Sequence, residues 1–152
     1  MLFRSVNGPA IDALGERVAV AWFTAAQGIP RVNVAFSNDA GASFEEPVRV
    51  DNGNPAGRVD LLLLPDSSAL VSWLELTKRG EELLVCQVAS NKPCGRPMRL
   101  FVSRKGRTTG FPRMVRSSEY VYFAWTQPAQ DSSSPELGVK VRTVVAKLKA
   151  NQ

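Results

Sequence analysis

The sequence predicts an all-β fold made of repeated four-stranded units, and three observations predict it. Its apolar segments are short, rich in Val, Leu, Phe and Trp, and broken by Gly, Pro, Asn, Asp and Ser clusters at intervals of roughly 8 to 12 residues, the rhythm of strands and turns. No stretch keeps a helical period. The segments "RVAVAWF", "ALVSWLE" and "VYFAWTQ" place Trp22, Trp73 and Trp125 at successive spacings of 51 and 52 residues.

Further features recur in register with the tryptophans. Seven residues before each stands a turn former, Gly15, Asp66 or Ser118, where a tight hairpin would join a first strand to a second. Thirteen residues before Trp22 and Trp125 stand Pro9 and Pro112. The tryptophan strands are apolar on both faces, as strands buried between neighbouring sheets should be. An all-strand period near 50 residues reads as a β-propeller of four-stranded blades, with Trp22, Trp73 and Trp125 as blade core. Three blade units fit, at about residues 7–54, 55–106 and 107–149, in one domain spanning 1–152. Strands are expected at 9–14, 17–24, 31–37 and 47–50 in the first unit, and at 111–116, 119–126 and 137–147 in the third.

Composition bounds the chemistry. With 152 residues and 44% hydrophobic content, the chain suits a single domain with a real core. The net charge of +5 is scattered rather than clustered, a weak preference for acidic partners and none for nucleic acid. Histidine is absent, which removes imidazole acid–base catalysis and the commonest zinc ligand sets. Cys86 and Cys94 have no companion ligand, so neither a metal nor a cofactor is expected. They could flank a hairpin turn and be bridged, but two reduced thiols are the expectation for a cytosolic chain. The opening "MLFRSVNGPAIDAL" lacks the pattern of an export signal, and no apolar run approaches the length of a membrane span, so a cytoplasmic protein without a membrane partner is expected.

"SNDAGASF", residues 37–44, falls between the third and fourth strands of the first unit. Asp39 is placed to accept hydrogen bonds from the turn backbone and from Ser37, Gly41 to adopt positive φ, and Phe44 to swing back into the sheet interface. The octapeptide is therefore read as a hairpin clasp. Ser37, Asp39, Gly41 and Phe44 resemble the Asp-box, or BNR repeat, of sialidases, and with the three Trp segments nearly the whole chain resembles the last three blades of bacterial sialidase-like six-bladed propellers. That resemblance implies a half-propeller with the Asp-box on the face opposite the active site, and it leaves an exported origin open.

The resemblance directs the search for function to the starts of the innermost strands, near Asn7, Arg58, Asp60 and Arg113, and to the loops "TAAQGIP", "LTKRG" and "TQPAQDSSSPE". Arg58 and Arg113 resemble, by position, two members of the arginine cluster with which sialidases hold a substrate carboxylate. The opening Phe/Tyr-Arg-Ile-Pro motif of those enzymes is missing. Glu119 and Tyr120 cannot act as a base and nucleophile pair, because adjacent strand residues point to opposite faces. No catalytic residue is assigned. Three blades leave two apolar faces open, and two copies about a two-fold axis would make six. The expectation is a homodimer that closes one propeller, with residues 2–6 exchanged as the outer strand of the partner's third unit. Its channel would bind an acidic small molecule or glycan such as a sugar acid, without catalysis. An altered glycoside hydrolase is the first alternative, and a truncated mobile-element reading frame without an evolved ligand is the second.

Overall fold

A computed structural model describes residues 8–103, 110–128 and 139–148. Asn7, residues 2–6 and the "AQDSSSPE" stretch, all named above, lie outside the described residues. The first sheet is an antiparallel meander of β1 (Ala10–Leu14), β2 (Arg17–Thr24), β3 (Arg31–Ser37) and the short β4 (Val48–Arg49). The second repeats that order with β5 (Pro55–Leu63), β6 (Ala69–Thr77), β7 (Gly80–Val88) and β8 (Met98–Ser103). The third contains β9 (Arg113–Ser117), β10 (Tyr120–Pro128) and β11 (Val139–Lys147).

The expected hairpins are present, each with its own turn chemistry. Gly15 turns β1 into β2 with φ 63°, and Ser118 turns β9 into β10 with φ 54°. Between β5 and β6 the Asp66 carboxylate accepts hydrogen bonds from the Ser68 backbone N–H (3.0 Å) and hydroxyl (2.5 Å).

The sheets stack face to face, with β1, β5 and β9 side by side, so two apolar cores form. Ala19, Ala21, Val32, Val34 and Phe36 of the first sheet meet Leu61, Leu63, Val71, Trp73 and Leu84 of the second. Leu74, Leu83 and Val85, on the other face of the second sheet, meet Val121, Phe123 and Trp125 of the third. Alternation along a strand explains the double role of the middle sheet: Val71 and Trp73 point one way, Leu70 and Leu74 the other. Two carboxylates bracket neighbouring inner strands, Asp12 Oδ2 accepting from the Leu63 N–H at 2.8 Å and Asp60 Oδ2 from the Met114 N–H at 2.6 Å. Glu75, itself buried, accepts from the Trp73 indole N–H (2.6 Å) and from the Asn54 N–H (2.6 Å), fixing the segment that leads into β5.

Two expectations are corrected here. Trp22 is half-buried and belongs to neither core, because Ala19 and Ala21 occupy the inward side of β2 and turn Trp22 away from the second sheet. Cys86 and Cys94 form a disulfide rather than two thiols. The reason is local: paired hydrogen bonds between Ala89 and Lys92 close a tight turn that brings the chain back over β7, leaving the two Cα atoms 5.8 Å apart.

Candidate functional site

The clasp at residues 37–44 is built from its own side chains. The buried Ser37 hydroxyl donates to Asp39 Oδ1 (2.8 Å) and accepts from the Gly41 N–H (2.9 Å). Asp39 also accepts from the Ser43 N–H (2.9 Å) and hydroxyl (2.5 Å). Those Ser43 bonds, with the one from Ser37, lower the Asp39 pKa from 3.8 to about 2. Gly41 has φ 85°, as the turn requires. Phe44 departs from expectation: it stays 46% exposed instead of entering a sheet interface. The Ala40 N–H donates to the Glu16 carbonyl at 2.7 Å, which ties the clasp to the β1–β2 hairpin and hence to the far end of β1.

At the near end, the starts of the three inner strands enclose a concavity of about 320 Å³. Gly8–Ile11, Arg58–Asp60, Phe111 and Arg113 line it, so Arg58, Asp60 and Arg113 come together from two different sheets. Asp39, at the opposite end of the sheets, takes no part in it.

A bulge in β5 aims Arg58. Pairing with β6 slips between Pro55 and Gly57 and again between Gly57 and Asp60, while Gly57 and Arg58 take φ of 87° and 53°. Positive φ is unfavourable for a residue with a Cβ, and such bulges re-aim side chains beside functional sites. Arg58 Nη1 donates to the Gly110 carbonyl at 3.3 Å, and its guanidinium lies 5.2 Å from the centre of the Phe111 ring. Gly110 itself lies close against β10, donating its N–H to the Thr126 carbonyl at 3.1 Å, where a Cβ would collide with Thr126 Oγ1.

Asp60 differs from the open channel residue expected. It is 4% exposed and its carboxylate is engaged by the Met114 N–H and, at 3.8 Å, by Arg113 Nε. Burial raises its pKa, opposed by the Met114 bond and the Arg113 charge. Arg113 keeps 76% of its side chain exposed, so its outer guanidinium face remains open to a ligand. The site thus holds two guanidinium groups, an aromatic ring and one occupied carboxylate. It does not offer, among the described residues, the pair of facing carboxylates that glycoside hydrolysis ordinarily uses. Nor is any group of three His, Cys, Asp or Glu side chains among them placed to hold a metal ion. No helix among them is long and apolar enough to cross a membrane.

Sequence reasoning missed Phe111 and Gly110 as site residues. Their signal was the Gly-Phe-Pro run ahead of Trp125, of which only Pro112 entered the repeat pattern.

No family model matches the chain, and no curated protein does. Among solved structures it is similar to a protein of unknown function from Dyadobacter fermentans, at 17% identity and TM-score 0.59, covering 94% of this chain and 38% of that one. It is also similar to a GH43 endo-arabinanase from Bacillus licheniformis, at 16% identity and TM-score 0.53, covering 91% of this chain and 50% of that one. A third similarity is to the GH43 protein BlXynB of Bacillus licheniformis, at 14% identity and TM-score 0.51, covering 91% of this chain and 27% of that one. The chain therefore spans half or less of the length of each. At these identities the likeness establishes a propeller-like all-β fold.

Proposed function

We propose that the chain forms three consecutive blades of a sialidase-like propeller and binds an anionic small molecule, of the sugar-acid class, without catalysis. The observation that carries this reading is the β5 bulge, which holds Arg58 in an unfavourable backbone conformation facing the same concavity as Arg113. A structural strand has no need of that distortion, whereas a carboxylate reader gains two charged forks beside an apolar ring. The Ser37–Asp39–Gly41 clasp at the opposite end of the sheets supports the sialidase-like kinship. The Cys86–Cys94 bond favours an oxidising compartment over the cytoplasm expected from the sequence.

Calorimetric titration tests the reading with N-acetylneuraminate as the probe and N-acetylmannosamine as the uncharged control. Binding of the acid alone, weakened at least about tenfold in Arg58→Ala and in Arg113→Ala, is expected, each variant losing a charge-assisted contact. Equal binding of the neutral sugar, or an acid affinity unchanged by both substitutions, overturns it.

A further inference from the structure

The two outward faces of the described sheet stack carry different parts of the repeat. Strand pairing makes Trp22, Trp73 and Trp125 positional equivalents, each on the second strand of its sheet and opposite Asn33, Leu84 and Arg142 on the third. Trp73 is completely buried against the preceding sheet, and Trp125 is buried against the sheet preceding its own. Trp22 carries the same side chain on the same side of its sheet, where no described sheet precedes it, and Val20 on its own strand and Ile11, paired with Val20 on β1, share that face, Ile11 being 68% exposed.

The opposite half stands at the other end. In the second sheet Leu62 and Leu70 are paired neighbours that pack into the core around Trp125. Tyr122 stands three residues before Trp125, as Leu70 stands three before Trp73, and its pair on β9 is Val115, as Leu62 is the pair of Leu70 on β5. Val145 extends the strip on β11. Val115 is 59% and Val145 53% exposed, and no described segment covers the strip. The third sheet thus exposes the counterpart of the surface that receives a tryptophan in the second, while the first carries a tryptophan that is incompletely covered.

We infer that a second copy of this chain covers both faces, the third sheet of each copy receiving Trp22 of the other. A contact between two different surfaces normally propagates, but here two identical contacts related by a two-fold axis close a ring of six sheets. Closure removes both exposed faces at once and brings two sets of Arg58 and Arg113 around one axis. The inference rests on packing alone and does not require the concavity to bind anything.

Light scattering of the unmodified chain over a range of concentrations is the first test, with twice the chain mass expected. Trp22→Arg and Tyr122→Arg each remove one half of the contact and should give folded monomers, verified by circular dichroism and cooperative melting. Mixed, the two variants retain one intact contact and should form a one-to-one pair. A monomeric unmodified chain overturns the inference, whether a sheet face is left bare or covered by the chain's own remaining residues. A Tyr122→Arg dimer overturns the pairing of unlike faces, as does a mixture that does not associate. A dimer that binds no N-acetylneuraminate leaves this inference standing and defeats only the anion-binding reading.

Discussion

The middle sheet and the two end sheets are built on one repeat yet live in different environments. β6 buries both of its faces, while β2 and β10 bury one face each, although all three carry a tryptophan at the same register. Position in the repeat sets where a tryptophan points; neighbouring sheets set whether it is core. Hydrophobic stabilisation follows area removed from water, so the same residue type contributes unequally along the chain.

The largest consequence concerns the tryptophans. Trp73→Ala should cost about 3–5 kcal/mol in urea unfolding, through the cavity left and the indole hydrogen bond that the buried Glu75 loses. Trp22→Ala should cost the dissociated chain less, about 1–3 kcal/mol, since its side chain lies in neither core and keeps part of its surface in water. Equal losses in the dissociated chain would erase the distinction between middle and end sheets.

Smaller effects arise where the sheets are bracketed. Asp60→Ala should cost about 1–3 kcal/mol by leaving the buried Met114 N–H without its acceptor, whereas Asp60→Asn keeps an acceptor and should be milder. The sign of the pH dependence sharpens this. The folded-state pKa of Asp60 is raised, so its contribution is full below the ordinary carboxylate value and declines as pH rises through the folded value. Asp60→Asn should abolish that decline in a series of urea midpoints against pH, and an unchanged profile would refute it.

The smallest effect is at the exposed clasp of the first sheet, and its sign is opposite. Asp39 has a folded pKa lowered from 3.8 to about 2, so its contribution is present above the unfolded value and lost as pH falls through that window. The Ser43 amide should exchange faster with solvent below about pH 3, after correction for intrinsic rates, while the Val71 amide in the middle sheet should not. Parallel behaviour of both amides would contradict a self-contained clasp.

Much of this fold was legible because turn chemistry and strand alternation are local. Gly15, Asp66 and Ser118 mark the hairpins, and Ser37, Asp39 and Gly41 build the clasp from residues within a few positions of one another. The missing parts depend on distant partners. Tryptophan spacing reveals the repeat, but Trp22 is core only if another sheet precedes it. Phe44 has the aromatic character of an interface residue, yet the turn leaves it in solvent. Arg58 and Arg113 were legible as neighbours at strand starts, whereas the bulge that aims Arg58 depends on the register of β5 against β6 and the ring beside it on a segment of the third sheet. The disulfide required knowing that a turn closes at Ala89 and Lys92.

The central claim is that unlike end faces meet and close a ring, and small-angle X-ray scattering of the unmodified chain tests it most directly. A two-chain mass and the distance distribution of a disc with a depleted centre are expected. The scattering of a single open wedge, unchanged as concentration rises, would contradict it.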